Sequence, residues 1–284
     1  MEHLLLGVIG DPIEHSLSPI MHQRWYEELG LPHHYHAFHL TKDGLESGIK
    51  GFRALNIKGF NVTIPHKVSI LPLLDDLDEE ALKLGAVNTV VNQNGKFTGY
   101  NTDGRGLISA LKEEWPTALT NAKILILGAG GASQGVAFTL AKEHVARVDI
   151  ANRTFETAEM LSQHCRTLTS STPLTLEAAE NQLSDYTMVI NTTPIGMSPK
   201  WEGKLPINLD RLKGGTYCID LIYNPLKTLM LAEAEKKGAL TMNGLPMLVH
   251  QGALAFEHWF KTKPETKTMI TYLNQILEVR HANR

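Results

Sequence analysis

Lys123-Ile124-Leu125-Ile126-Leu127-Gly128-Ala129-Gly130-Gly131-Ala132-Ser133 sets an apolar run directly against a glycine turn. The run reads as a buried strand, the stretch Ala132 to His144 as a helix, and Arg147 to Ala151 as a second strand. Together they predict a β-α-β unit, because parallel strands need a crossover of that length between them. In that setting the glycines let the main chain approach a pyrophosphate lying at a helix N-terminus. The strict GxGxxG string is not met, since Ser133 takes its third small position. The strand-turn-helix context therefore carries the dinucleotide reading, and the string alone leaves a plain connecting turn open.

The end of the second strand selects the cofactor, because a carboxylate there accepts from the 2′-hydroxyl of NAD and repels a 2′-phosphate. That place holds Asn152-Arg153-Thr154. A guanidinium can pair bidentately with a phosphate while Asn152 and Thr154 supply neutral hydrogen bonds, so the charge logic favours NADP(H). Asp149 falls inside the strand, three residues too early to serve as the carboxylate.

Working outward, short apolar runs alternate with helical patterns in both directions. Toward the N-terminus, Leu4 to Ile9, Tyr35 to Leu40 and Gly59 to Ile64 read as strands, and Ser18, Pro19 and Gly30 as the N-cap, first residue and stop of a helix. Asn94-Gly95 between Val87–Asn92 and Lys96–Gly99 predicts a hairpin, since both turn positions tolerate positive φ. Toward the C-terminus, strands at Tyr186 to Asn191 and Tyr217 to Leu221 precede two helices, Leu245 to Phe260 and Met269 to Val279, with no strand between. The expected fold class is α/β with two α/β domains: an N-terminal domain with a mainly parallel sheet and a Rossmann-type dinucleotide-binding domain. The C-terminal helices are expected to pack back on the first. The expected boundaries are 1–103 plus 245–284 for one domain and 104–244 for the other.

Composition narrows the functional classes. Among 284 residues, 27 Lys and Arg face 30 Asp and Glu, a formal net charge of -3, which argues against an electrostatic nucleic-acid binder. The apolar run Leu4 to Ile9 is far short of the roughly 20 residues a membrane helix needs, and it has no basic leader or cleavage site, so neither a membrane partner nor export is expected. Two cysteines, Cys165 and Cys218, form no disulfide framework and point to a reducing cytoplasm. The histidines at 33, 34, 36 and 39 alternate along a strand with no carboxylate to complete a site, so no metal is expected.

A polar constellation marks the first domain. In Phe60-Asn61-Val62-Thr63-Ile64-Pro65-His66-Lys67, Pro65 ends the ladder and leaves Thr63 and Lys67 at the strand's carboxyl end, where open α/β sheets bind ligands. Taken singly, Lys67 also fits a solvated surface lysine. Asp103 directly precedes a helix and could simply cap it; Ser16 and Ser18 follow the first strand, and Asn88 stands at the hairpin. Gln251 shares a helical face with Met247, Leu248, Leu254 and Ala255, so it needs a buried partner or a ligand.

Taken together, HSLSP at 15–19, NVTIPHK at 61–67, GAVNTV at 85–90, NTDG at 101–104, GAGGAS at 128–133, NRT at 152–154 and LPMLVHQGA at 245–253 resemble the shikimate dehydrogenase family. The resemblance implies reversible NADPH-linked reduction of 3-dehydroshikimate to shikimate, on the route to chorismate and the aromatic amino acids. It makes Lys67 and Asp103 the catalytic pair, with Ser16, Ser18, Thr63, Asn88, Tyr223 and Gln251 holding the substrate. It gives Gly128, Ala129, Gly130, Gly131 and Ala132 to the pyrophosphate, Asn152, Arg153 and Thr154 to the 2′-phosphate, Leu221 and Gly244 to the nicotinamide, and Glu79 to a cofactor-linked position. The partners it implies are small molecules, with the chain a monomer or homodimer. One departure stands out: where the family often carries a second basic residue after the NRT threonine, this chain has Thr157.

Overall fold

A computed structural model describes residues 2–282, which divide into two compact units, 2–103 with Gln251–Met269 and Gly104–His250 with 270–282. In the first unit the apolar runs become β1 (Leu5–Gly10), β2 (His34–His39) and β3 (Gly59–Val62), separated by helices α1 (Ser18–Glu28) and α2 (Leu45–Ala54). A short β4 (Asp76–Leu77) and helix α3 (Glu79–Leu84) precede the hairpin of β5 (Thr89–Gln93) and β6 (Lys96–Tyr100). The hairpin turn is the one the sequence predicts, with Asn94 and Gly95 both at positive φ (54° and 86°).

The sheet runs β2-β1-β3-β5-β6-β4. β1 pairs in parallel with β2 and β3, and β4 with β6; β5 runs antiparallel to both β3 and β6. This mainly parallel arrangement decides where the polar residues gather. Because β5 is reversed, its N-terminal end lies at the same edge of the sheet as the carboxyl ends of β1, β3 and β6. The segments 11–18, 63–67, 86–88 and 101–103 therefore emerge together. Ile9, Phe60, Val62, Val90 and Phe97 anchor that edge in one apolar cluster with Leu45, Ile49 and Phe52 of α2.

Two local expectations change. The third strand stops at Val62 and Ile64 is exposed, since Pro65 ends the ladder earlier than alternation suggests. Ser18 is the first residue of α1 and not its cap, a place taken by Leu17 with no side-chain cap bond; Pro19 sits in the first turn and Gly30, at φ 64°, lies just beyond the helix end.

The second unit opens with α4 (Asp103–Glu114), whose first residue belongs to the first unit. It continues β7 (Lys123–Leu127), α5 (Gly131–Ala141), β8 (Arg147–Ala151), α6 (Phe155–Cys165), β9 (Pro173–Leu174), α7 (Leu176–Asn181), β10 (Met188–Asn191), β11 (Tyr217–Asp220), α8 (Leu229–Lys236) and β12 (Leu240–Met242). All neighbouring strands pair in parallel in the order β12-β11-β10-β7-β8-β9. Counted from β7, this is the doubly wound order of a Rossmann-type sheet, and its switch point lies between β7 and β10. Apolar clusters cover both faces, one including Ile124, Ile126, Ile150 and Ile190, the other Leu125, Leu127, Val189 and Cys218. That double burial is why these strands read as continuous apolar runs.

Helix α9 (Leu245–Phe260) packs on the first unit from Gln251 onward, where Trp259 Nε1 donates to the Val90 carbonyl at 2.9 Å and Gly59 leaves room for the indole. Its residues through His250 group with the second unit, as does α10 (Lys267–Ala282) from Ile270, whereas the sequence reading places all of 245–284 with the first. Cys165 and Cys218 are free and buried. Among the described residues no helix is long and apolar enough to cross a membrane and no cluster of metal-ligating side chains occurs. His33 instead stacks on Phe260, with ring centroids 5.1 Å apart.

Candidate active site

The gathered edge of the first sheet holds an amine and a carboxylate in contact: Lys67 Nζ donates to Asp103 Oδ2 at 2.7 Å. Their side chains are 15% and 7% exposed, so this is no surface pair loosened by water. Local structure fixes both ends. His66 is fully buried beside Lys67, with its Nε2 2.6 Å from the Leu40 carbonyl, and its N–H donates to the Thr63 carbonyl, closing the turn after Pro65. The Lys67 carbonyl accepts from the Val87 N–H at 2.8 Å, tying the lysine loop to the segment that enters β5.

Asn88 ties that segment to Asp103. Its amide nitrogen lies 2.8 Å from Asp103 Oδ1, 2.9 Å from Thr102 Oγ1 and 3.3 Å from Gln251 Oε1, while its carbonyl accepts from the Thr102 N–H and the Thr89 hydroxyl. An amide has only two donor hydrogens, so three acceptors compete for them and Gln251 is the most weakly held. Gln251 is buried, and its main-chain carbonyl accepts from Thr102 Oγ1 at 3.1 Å, so the polar position in the apolar stripe does find partners. Asp103 is not a cap lying before the helix: α4 starts on it, and its two carboxylate oxygens are engaged by Lys67 and Asn88.

Ser16, half-buried, accepts the Ser18 N–H at 3.2 Å, and Thr63 stands half-buried at the end of β3. The first unit thus brings Ser16, Ser18, Thr63, Lys67, Asn88, Asp103 and Gln251 to one edge or its flanking helix. Thr102 and Asn61 join them unforeseen. Asn61 accepts from the Tyr35 hydroxyl at 2.6 Å and donates to the Asn88 carbonyl. A buried polar residue inside an apolar strand was the available signal for Asn61. Tyr223, by contrast, belongs to the second unit, half-buried in the segment after β11.

In the second unit, Gly128 has φ 107° and a Cβ there would stand 2.6 Å from Thr192 Oγ1, so both conformation and space require glycine. Gly130, in contrast, faces open space: a Cβ would meet nothing within 4 Å, the clearance a ligand phosphate needs for close approach. The N–H groups opening α5 at Gly131 and Ala132 have no carbonyl one turn earlier within the helix and suit an anion. Ser133 is structural here, its hydroxyl accepting the Gly130 N–H at 3.1 Å and lying 2.6 Å from Thr192 Oγ1.

Beyond β8, Arg153 is exposed and Thr154 caps α6 without using its side chain in the cap. Asp149 is committed elsewhere, accepting from the Tyr186 hydroxyl and the Thr172 N–H and pairing with Arg147, so no carboxylate competes with Arg153 from the strand. Asn152 is less free than its sequence position implies, because its amide nitrogen donates to the Thr154 carbonyl and to Thr157 Oγ1. These residues fit a phosphorylated dinucleotide, with the exposed side chains of Arg153 and Thr154 as its donors. Leu221 and Gly244 do meet: a Cβ on Gly244 would lie 2.0 Å from the Leu221 carbonyl oxygen. Glu79 lies exposed in α3 of the first unit, in an i,i+4 ion pair with Lys83.

A Rossmann-type sheet with a phosphate-ready glycine turn, in one chain with a shielded lysine-carboxylate pair, defines a dinucleotide-linked oxidoreductase. Comparison with known proteins narrows the class. Residues 8–90 match the shikimate dehydrogenase substrate binding domain, 110–196 the shikimate / quinate 5-dehydrogenase domain, and 244–271 the shikimate 5′-dehydrogenase C-terminal domain. A shikimate dehydrogenase (NADP(+)) of Bacillus cereus is 48% identical over 265 residues, covering 93% of this chain and 95% of the relative. A crystal structure of a shikimate dehydrogenase in complex with NADP+ superposes with a TM-score of 0.90 at 41% identity, covering 97% and 96% of the two chains. The Thermus thermophilus enzyme in complex with NADP(H) and shikimate gives 0.87 at 35% identity, covering 96% and 99%. The chain belongs to the shikimate dehydrogenase family.

Proposed function

We propose that this chain interconverts 3-dehydroshikimate and shikimate with NADP(H), using Lys67 and Asp103 as its catalytic pair. The observation that carries the reading is the 2.7 Å contact between those two side chains, shielded from solvent and networked to Asn88. The first unit, 1–103 with the returning helix, takes the substrate; the second, around 104–244, takes the cofactor. The family matches at 8–90 and 110–196 support that division.

When bound, NADPH supplies the hydride. Lys67 donates a proton from Nζ to the ketone oxygen as it becomes an alkoxide, and takes it back in the reverse direction. Asp103 holds the ammonium in place and, through its remaining lone pairs, accepts from a substrate hydroxyl. Ser16, Ser18, Thr63, Asn88 and Gln251 offer neutral hydrogen-bonding groups to the substrate's carboxylate and hydroxyls, a role the family resemblance extends to Tyr223. Gly128 to Ala132 seat the pyrophosphate, and Arg153 pairs with the 2′-phosphate. Because Thr157 holds the Asn152 amide and brings no charge, Arg153 supplies the positive charge for that phosphate and offsets only part of its negative charge. A cytoplasmic enzyme acting as a monomer or homodimer completes the proposal; two free, buried thiols accord with a reducing compartment.

Spectrophotometric oxidation of shikimate and of quinate, with NADP and NAD in parallel, tests the whole. The expected result is shikimate turnover with NADP preferred. Absence of shikimate turnover with either cofactor overturns the proposal, and preference for quinate with NAD replaces its substrate and cofactor.

A further inference from the structure

Asp220 ends β11 with its side chain wholly removed from solvent, yet no cation pairs with it in the described contacts. Three donors do: the Thr228 hydroxyl at 2.7 Å, the Asn191 amide at 3.0 Å and the Ile222 N–H at 3.1 Å. Burial pushes the Asp220 carboxyl up to about 6, against the pull of those donors. A strand end that needed only packing would carry an apolar residue here, as its neighbours Cys218 and Ile219 do. The carboxylate instead collects donors from the last residue of β10 and from the connection after β11.

Asn191 extends the network. Its carbonyl accepts from the N–H and the hydroxyl of Thr193, and its amide also donates to the Ile195 carbonyl. Thr192 and Thr193 in turn line Gly128 of the glycine turn, and Thr192 meets Ser133. On the other side, Ile222 follows Leu221, whose carbonyl lies against Gly244, while the Ile222 carbonyl accepts the Gly244 N–H at 3.0 Å. One continuous chain of contacts therefore runs from the glycine turn through Asn191 and Asp220 to Leu221 and Gly244, all inside the second unit.

We infer that Asp220 is a positioning residue for the cofactor, fixing the segment of Leu221, and Gly244 packed against it, relative to the glycine turn that seats the pyrophosphate. The inference rests on the cofactor assignment proposed above. Asp220 touches no reacting group itself; it acts through the two loops it joins. Asparagine at 220 has one acceptor oxygen for three donors and turns its own amide toward one of them, so the loops separate while the rest of the unit keeps its packing.

The test is NADPH affinity by calorimetry, together with the separate KM values for NADP and shikimate, in Asp220→Asn, Thr228→Val and Thr228→Ser. Asp149→Asn serves as a matched loss of a buried carboxylate outside the network. Asp220→Asn is expected to weaken NADPH binding and raise the NADP KM at least tenfold with the shikimate KM within twofold. Thr228→Val keeps the shape, removes the donor to Asp220 together with the acceptor for the Leu231 N–H, and covers the case in which Asp220→Asn does not fold. It shows a smaller rise of roughly fivefold, about what one hydrogen bond supplies, while Thr228→Ser, which keeps both bonds, restores it and Asp149→Asn leaves both KM values within twofold. NADPH affinity unchanged in the folded variants, an equal rise in both KM values, or the same rise in Asp149→Asn overturns the inference. Failure of the wild-type chain to oxidise shikimate would instead fall on the function proposed above, and the calorimetric arm stays readable without it.

Discussion

The first unit buries two titratable clusters in opposite ways. Around Lys67, the charged groups touch: an ammonium donates to a carboxylate, and that carboxylate also takes an amide from Asn88. Around His22, an imidazole is stacked on Tyr35 at a centroid distance of 4.3 Å and enclosed by Trp25, Phe256 and Trp259, with neither ring nitrogen hydrogen-bonded to a described residue. Desolvation holds its pKa down to about 3, so it is neutral wherever the protein is folded near neutrality. The same sheet thus keeps charge where partners satisfy it and excludes charge where only rings surround it. The proposed chemistry uses the first arrangement, while the second packs rings of α1 and α9 against one another.

The largest effect that sharpens this contrast is removal of the amine. Lys67→Ala is expected to lower kcat by at least about a hundredfold with little change in shikimate affinity, since acid-base help is worth roughly 10²- to 10⁴-fold. Steady-state kinetics checks this, and near-normal turnover would take Lys67 out of the mechanism.

The aromatic cluster predicts an acid limit to stability. The unfolded chain takes up a proton at His22 near its ordinary pKa of 6.5 while the folded chain resists until about pH 3. Stability is therefore intact above pH 6.5 and is lost as pH falls through the window from 6.5 toward 3. At pH 4.5 the His22 contribution to that loss amounts to roughly 2–3 kcal/mol. Denaturant titrations across pH should show this slope, and His22→Phe should flatten it; an unchanged slope would assign acid sensitivity to other groups.

Much of the fold was legible because its strands are bounded by glycine, proline and the Asn94-Gly95 turn, signals that act locally. The β-α-β unit at 123–151 has its two strands where the apolar runs place them. Helices α2, α3, α6, α7 and α8 were not foreseen. In α3 the length is only six residues and the start rests on the Asp78 side chain accepting the Ala81 N–H, too short a pattern for periodicity. In the candidate site, residue type and position single out Lys67 and Asp103 one by one, and only the family resemblance pairs them; residue-level reading does not, because their contact depends on β5 running backwards between β3 and β6. Asp220 and Asn191 gave a weaker signal, polar residues closing apolar strands. Their meaning needed the neighbouring loops, which are distant in sequence.

Asp103→Asn tests the charge in the first cluster without emptying its space. Asparagine replaces one oxygen by an amide, so either Lys67 or Asn88 faces a donor where it had an acceptor. Both shikimate KM and kcat should suffer, with kcat/KM falling roughly ten- to a hundredfold, as expected for losing a hydrogen bond to a charged group. An effect confined to KM would leave Asp103 a binding residue only.

Gln251→Ala probes the edge of the same cluster and has the smallest expected effect. Its side-chain oxygen is the farthest of the three acceptors competing for the Asn88 amide, at 3.3 Å against 2.8 Å for Asp103. Losing it costs Asn88 little, because Thr102 and Asp103 still take both hydrogens. The main-chain carbonyl that anchors Thr102 survives the substitution. Any loss should therefore report the glutamine's contact with substrate, about fivefold in shikimate KM with kcat nearly unchanged, the size of one neutral hydrogen bond. A matching fall in kcat would mean that the weakest acceptor helps hold the lysine-carboxylate pair, and that the cluster works as a single cooperative unit.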